Sequence, residues 1–150
     1  MGARRKAREL ALQMMYQIDL VNVEIEEIIT NFEPFRNCLP SIQQFSLELL
    51  KLILQNRKII DDLLSQYAQN WRIDRMAMVD RNILRLAIGE LLYLPDIPGT
   101  VTINEAVELA KKYGGEESSK FVNGILDSIA REKCPEKLKL PIKSTLEDGP

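Results

Sequence analysis

The chain of 150 residues contains no histidine, only two cysteines and no long apolar run. Histidine is the commonest general base and the commonest metal ligand, so its absence argues against most hydrolytic and metal-dependent mechanisms. Cys38 and Cys134 lie far apart and in no metal-ligand spacing, and two cysteines are too few for a disulfide framework. Neither a G-x-x-x-x-G-K-[ST] loop nor a G-x-G-x-x-G turn occurs. The sequence therefore predicts a binding protein that uses no metal or cofactor, and not an enzyme.

The sequence also lacks the signals of a membrane or secreted protein. No apolar run approaches the roughly 20 residues that a membrane-spanning helix needs. The N-terminus has no apolar core of the signal-peptide kind, and Lys6 stands where a myristoylation motif requires Ser or Thr. We therefore expect a cytoplasmic protein without a membrane partner. Its net charge of −2 does not suggest nucleic acid as a ligand, so such a function must rest on where the charges lie.

Apolar residues recur at helical spacing along the whole chain, and no segment alternates with the period of a strand. The sequence therefore predicts an all-α protein, a helical bundle of about seven helices, in one domain or two small subdomains. Proline, glycine and capping residues predict the helix ends. The predicted features are a first helix with an apolar stripe of Ala7, Leu10, Ala11, Met14 and Ile18, helices over 24–32 and 56–70, a helix starting with Pro40, a helix capped by Asp74 and ending near Tyr93, a Thr102-x-x-Glu105 capping box whose helix ends at Gly114, and a last helix capped by Ser118 or Ser119 and ending before Pro135.

The first helix begins with the basic segment Arg4-Arg5-Lys6-Ala7-Arg8. At 100° per residue Arg5, Arg8 and Tyr16 fall opposite the apolar stripe, which predicts that all three are exposed. Arginine binds phosphate through paired N–H groups, and an exposed ring can stack on an unpaired base. Basic charge at a helix N-terminus opposes the helix dipole at a cost of roughly 0.3–1 kcal/mol per charge. The segment alone leaves two interpretations open, nucleic-acid binding and a solvated basic start.

Four separated motifs then supply a resemblance. They are RRKARE at 4–9, VDRNILR at 79–85, INEAVELAKKY at 103–113 and KFVNGILD at 120–127. In this order, over roughly residues 4–131, they resemble the NusB family of transcription antitermination factors. The combination is far more specific than any one motif.

The resemblance implies two helical subdomains, about 1–70 and 71–133, each roughly a three-helix bundle. We expect the remaining residues, 134–150, to form a polar, flexible tail. The resemblance also implies binding to single-stranded boxA RNA of ribosomal RNA operon transcripts, together with the ribosomal protein NusE. The complex would join bacterial RNA polymerase and suppress premature termination.

The resemblance also implies the site residues. RNA contacts are expected at Arg4, Arg5, Lys6, Arg8, Tyr16, Lys120 and Phe121. Asp80 and Glu117 are expected near the partner surface. Arg75 is a candidate extension of the basic track, although a solvated helix start explains it equally well. Phe121 falls at the edge of its helix's apolar face, so core packing remains an alternative for it.

Three further expectations concern single positions. Glu90 falls within the apolar stripe of its helix, where an unpaired carboxylate would be costly, so we predict that it accepts hydrogen bonds from a neighbouring group. Gly124 is predicted to allow close helix packing. Lys111 and Lys112 are predicted to form a solvated face at a helix C-terminus.

Two alternative functions stay open at this point. A similar helical domain occurs in some ribosomal RNA cytosine methyltransferases, but this chain is expected to be too short to hold a catalytic domain as well. The protein could also be an interaction scaffold, for example a homodimer that hides the basic helix.

Overall fold

The computed structural model describes residues 2–68 and 72–142. Within these ranges the structure is helical without any strand, which confirms the all-α prediction. A short 3-10 turn, Ile73–Arg75, lies between the fifth and sixth helices. The helices are α1 (Ala3–Val21), α2 (Ile25–Asn31), α3 (Glu33–Arg36), α4 (Pro40–Gln55), α5 (Arg57–Tyr67), α6 (Met78–Tyr93), α7 (Gly99–Tyr113), α8 (Glu116–Lys133) and α9 (Pro135–Leu138).

Helix α6 is the centre of the bundle. Every residue from 82 to 91 is buried, and α1, α4, α5, α7 and α8 all pack around this segment. Helix α1 lies against α4 and α6 and buries the apolar stripe that its spacing predicts. The buried apolar side chains from both halves of the chain form one continuous core. The division into two subdomains near residue 70 stays a prediction.

Prolines and glycines predict helix ends better than capping residues do. Helix α4 begins at Pro40 and α7 ends just before Gly114, as predicted. The capping box at Thr102 is wrong, because α7 already begins at Gly99, directly after Pro98, and Thr102 is buried within it. Proline fixes its own φ and lacks a backbone N–H, so a helix does not extend to the N-terminal side of Pro98. Pro98 therefore sets the start of α7 more firmly than a polar side chain does.

The other two predicted caps are also wrong. Asp74 lies in the 3-10 turn, and α6 begins only at Met78. Helix α8 begins at Glu116, so Ser119 lies inside its first turn, where its hydroxyl donates to the Glu116 carbonyl at 2.8 Å. Gly115, with φ of +93°, makes this start possible because only glycine adopts that conformation easily.

The prediction of a flexible polar tail is wrong for residues 134–138. Pro135 opens helix α9, and Lys137 of this helix is only 3% exposed. Its ammonium donates to the backbone carbonyls of Glu90 at 2.9 Å and Leu94 at 2.8 Å, at the C-terminus of α6. A cation there adds a hydrogen bond to the last carbonyls of α6 and opposes the negative end of the helix dipole, which explains why α9 packs on the bundle. Residues 143–150 lie outside the described residues.

The close approach of α4 and α6 depends on a glycine that the sequence did not single out. A Cβ at Gly89 would lie 2.9 Å from Cγ1 of Ile53. The predicted close-packing role of Gly124 is wrong, because a Cβ there would meet nothing within 4 Å. Helix α8 therefore tolerates a side chain at position 124, whereas α6 does not at position 89.

We expect Gly89→Ala to lower the free energy of unfolding by about 1–3 kcal/mol, since overpacking shifts neighbouring side chains. Gly124→Ala is the matched control and should raise stability by up to about 1 kcal/mol through helix propensity. Urea denaturation of both variants checks the prediction. Equal effects of the two substitutions would contradict the packing assignment.

Candidate nucleic-acid interface

The basic segment forms the first turns of α1 and is held on two sides. Arg5 and Lys6 are exposed and Arg4 is half-buried. The guanidinium carbon of Arg4 lies 4.5 Å from the ring centre of Phe45 in α4. Arg5 donates from Nε and Nη2 to the two carboxylate oxygens of Glu105 in α7, at 2.9 and 2.6 Å. The segment is therefore a surface fixed by α4 and α7, and its arginines are already oriented.

Arg8 is not on this surface, and the prediction that it is exposed is wrong. Its side chain is 2% exposed, and Nε and Nη2 donate to the carboxylate of Glu90 at 2.7 and 3.0 Å. The hydroxyl of Thr102 donates to the same carboxylate at 3.0 Å, which confirms that Glu90 accepts hydrogen bonds. Because α1 lies between α4 and α6, its buried face is wider than its apolar stripe and includes position 8. In this structure Arg8 anchors α1 to α6.

A second polar contact joins α1 to the end of α7. Glu9 is buried and accepts hydrogen bonds from the ammonium of Lys112 and, at 2.6 Å, from the hydroxyl of Tyr113. Burial raises the pKa of Glu9, but these two hydrogen bonds outweigh it and hold the pKa below its ordinary value. The same bond to Glu9 raises the pKa of Lys112. Lys112 is exposed, as expected of a solvated face, yet it is ion-paired and fixes α7 beside α1.

One surface groove, here called the Tyr16 groove, has a volume of about 490 Å³. It lies beside the middle of α1, between α2–α3, the start of α6 and the end of α7. Tyr16 is half-buried in its wall, so it is less exposed than the helical wheel predicts. The groove is mainly apolar, with two amides and two phenol rings. Its lining residues are Leu12, Gln13, Tyr16, Gln17, Phe32, Pro34, Val79 and Tyr113.

A second groove, here called the Phe121 groove, has a volume of about 320 Å³ and brings Asp80, Glu117 and Phe121 together. Its remaining lining residues are Met76, Ala77 and Ser118. Oδ1 of Asp80 is buried without a hydrogen-bond partner among the described residues. Phe121 both packs against the core and lines this groove, so its two interpretations are compatible. Both grooves reach the first turn of α6, where Val79 lines one and Asp80 the other.

The remaining candidates lie around these grooves. Arg75 is exposed in the 3-10 turn directly before Met76, and Lys120 is exposed on α8 next to Phe121. Sequence reasoning missed the contributions of Phe45 and Glu105, which only the packing of α4 and α7 against α1 reveals.

Over residues 2–68 and 72–142, no group of three or more acidic or cysteine side chains is arranged to hold a metal ion. No helix in the same ranges is long and apolar enough to cross a membrane.

Comparison with known proteins identifies the family. The model of the NusB family matches residues 5–131. The transcription antitermination protein NusB of Myxococcus xanthus (strain DK1622) is 47% identical over 134 residues, which cover 87% of this chain and 96% of that protein. The structure of T. maritima NusB superimposes with a TM-score of 0.83 at 40% identity, covering 91% of this chain and 97% of that one. A structure of antitermination factors NusB and NusE in complex with dsRNA gives 0.79 at 28% identity, covering 86% and 96%. The chain belongs to the NusB family.

Proposed function

We propose that the protein is an RNA-binding transcription antitermination factor that binds boxA RNA of ribosomal RNA operon transcripts together with NusE. It would act in the RNA polymerase complex and suppress premature termination, which places it in the bacterial cytoplasm. The names of its relatives and the related complex of NusB and NusE with RNA support this proposal. The match extends over nearly the full length of relatives named as antitermination proteins, which favours this role over that of a methyltransferase targeting domain.

The observation that carries the proposal is the arrangement of α1. Arg5 and Tyr16 are eleven residues apart, so they differ by about 20° around an ideal helix and by roughly 16 Å along it. One face of α1 therefore presents fixed cations at its start and an aromatic groove further along. Cations bind phosphates, and rings stack on unpaired bases, so this face suits a single strand that follows the helix.

The Tyr16 groove has the chemistry of a site for an unpaired base. Its apolar wall and the rings of Tyr16 and Tyr113 offer stacking surfaces. The side-chain amides of Gln13 and Gln17 each carry donors and an acceptor, as the edge of a base requires. The amide of Gln13 donates to the Tyr113 hydroxyl at 3.1 Å, which keeps this part of the wall in place.

The Phe121 groove suits the protein partner better than the RNA backbone. The carboxylates of Asp80 and Glu117 repel phosphates but attract basic side chains, such as those that a ribosomal protein carries. We therefore assign Asp80 and Glu117 to NusE, and Phe121 to the boundary where RNA and NusE meet. Arg75 and Lys120, both exposed beside this groove, would extend the cationic track for the RNA.

We expect Arg5→Ala combined with Lys6→Ala to weaken boxA RNA binding on the order of tenfold and to reduce the salt slope by about 1.4, or 0.7 per lost phosphate contact. Arg8 is left unchanged because its loss would remove a buried anchor. Titrations over a range of salt concentrations, with boxA RNA, a scrambled strand and a duplex, measure both effects in the presence and absence of NusE. Circular dichroism checks that helicity is kept.

The matched control is Lys58→Ala combined with Arg131→Ala, which removes two exposed cations from α5 and α8 outside the proposed surface. The control should leave affinity and salt slope close to those of the unmodified protein. Equal binding of the unmodified protein to boxA and scrambled RNA under all conditions would refute the proposed function. Equal effects of the two double variants would refute the site assignment alone.

A further inference from the structure

Phe45 lies beneath the basic segment of α1. Its ring is half-buried in α4 and packs against the core. The guanidinium carbon of Arg4 lies 4.5 Å from the ring centre, and that of Arg8 lies 5.8 Å from it. Both distances are within the range of about 6 Å for a cation–π interaction. A ring fixed from below by the core therefore supports a cation that is partly open to solvent above it.

The ring holds Arg4 in a different way from the groups that hold its neighbours. Glu105 binds Arg5 and Glu90 binds Arg8 through carboxylates, which occupy some of their N–H donors and offset part of the positive charge. A phenyl ring has no formal charge. The N–H groups of a guanidinium lie in its own plane, so a guanidinium held over the face of the ring does not use them to bind the ring. Phe45 can therefore orient Arg4 without using the donors and the charge that a phosphate needs.

An arginine side chain that is oriented before the RNA binds loses less conformational entropy on binding. A free arginine side chain loses up to about 2 kcal/mol of rotamer entropy when a ligand fixes it. A side chain already held over a ring has lost part of this freedom on folding, so the ligand costs it less. The expected consequence is tighter RNA binding without any contact between Phe45 and the RNA.

We propose that Phe45 is a positioning residue for RNA binding, which acts by holding the Arg4 guanidinium in the orientation that meets a phosphate. The proposal rests on the proposed function. It assigns to α4, which contributes no RNA contact in the site described above, a part in the affinity of the basic segment.

A double-mutant cycle tests this role with the full chain and single-stranded boxA RNA. Phe45→Leu keeps an apolar side chain but removes the ring, and should weaken RNA binding about threefold, the equivalent of one partly exposed cation–π interaction. Phe45→Tyr keeps the ring and should bind within about twofold of the unmodified protein. With Arg4 replaced by alanine, the further change Phe45→Leu should leave the affinity unchanged, because the guanidinium it positions is absent.

The cycle separates positioning from plain packing. Phe35→Leu removes a buried ring from α3 and controls for lost core volume, with thermal unfolding measured for every variant. Equal losses of affinity from Phe45→Leu in the presence and absence of the Arg4 side chain would overturn the proposal, as would an equal loss from Phe35→Leu. If the unmodified protein shows no RNA binding, the proposed function fails; if it binds and the cycle is additive, only the role of Phe45 fails.

Discussion

Replacing Glu90 by glutamine should lower the free energy of unfolding by about 3–5 kcal/mol, the typical effect of removing one partner of a buried ion pair. Glu90 is 1% exposed, and its carboxylate accepts two hydrogen bonds from Arg8 and one from Thr102. Lys137 is also buried close by, so the substitution leaves two cations in the core without a carboxylate. Such a loss is a large share of the total stability of a domain, typically about 5–15 kcal/mol.

The pKa of Lys137 reports on the same cluster. Burial lowers it below the ordinary value for a lysine, and the negative charge of Glu90 opposes that effect. Glu90→Gln should therefore lower the pKa of Lys137 further. Because α9 is held through the ammonium of Lys137, we expect amide hydrogen exchange to rise in α9 before the rest of the bundle unfolds.

A paired substitution distinguishes a buried charge from lost packing. Arg8→Met combined with Glu90→Leu removes both charges and keeps similar volumes, and such exchanges are often neutral or stabilising. The double variant should therefore be more stable in urea denaturation than Glu90→Gln alone. If the double variant were the less stable of the two, the cost would lie in shape and not in the unpaired charge.

The contacts of Glu90 show why the sequence predicts the apolar face that each helix buries but not the residues of other helices that this face contacts. The apolar stripe of α1 follows from spacing alone, and all five of its residues are buried, but α1 also buries Arg8, Glu9, Leu12 and Met15. Arg8 and Glu90 are 82 positions apart in the sequence. Each, taken alone, is a charged residue on the buried side of its helix, where an apolar residue is expected. The sequence argument correctly required a partner for Glu90, because a buried carboxylate must be satisfied. It could not identify that partner, since only the packing of α1 on α6 brings the two together.

Helix ends show a similar limit. Pro40, Pro98 and Gly114 act on their own backbone, so their effect can be read locally. Thr102 has the right spacing from Glu105 for a capping box, yet in the fold its hydroxyl donates to Glu90 and Glu105 binds Arg5. Both side chains of the presumed box therefore serve contacts between helices, which no local pattern reveals.

The candidate site was predictable in part. The helical wheel placed Arg5 and Tyr16 on one side of α1, and Arg5 is indeed exposed. The joint position of Asp80 and Phe121 in one groove follows from the packing of α6 beside α8 and was not predicted, since the family resemblance assigned Asp80 to the partner surface and Phe121 to the RNA. Phe45 carried no sequence signal, because an aromatic residue at helical spacing indicates core packing whether or not an arginine lies above it.

Asp19 makes the second contact that should dominate stability. Its side chain is 9% exposed and accepts hydrogen bonds from Arg81 at 2.7 Å, Asn82 at 2.9 Å and Arg85 at 3.3 Å. These three donors all belong to α6, so Asp19 anchors the C-terminal end of α1 as Glu90 anchors its beginning. Arg81 and Arg85 are themselves only 15% and 5% exposed.

We expect Asp19→Ala to lower the free energy of unfolding by about 3 kcal/mol, because it leaves mostly buried arginines without their shared carboxylate. Arg85 keeps its contacts with Asp61, at 2.8 and 3.1 Å, which limits the loss. Asp62→Ala is the matched control, since Asp62 is 64% exposed and pairs with an exposed lysine. It should cost less than about 1 kcal/mol. Similar urea midpoints for the two variants would contradict this assignment.

The contribution of Asp19 should also depend on pH in a defined direction. Burial raises the pKa of Asp19, but the hydrogen bonds from Arg81 and Asn82 and the charge of Arg85 outweigh it and hold the pKa below its ordinary value. A carboxyl group with a lowered pKa stabilises the fold fully above the pKa of the unfolded chain, about 3.9, and loses this contribution as the pH falls through the folded-state pKa. The difference in stability between the unmodified protein and Asp19→Ala should therefore be constant between pH 6 and 7 and shrink below about pH 4. A difference that persisted unchanged into acid would mean that Asp19 stabilises the bundle through packing and not through its charge.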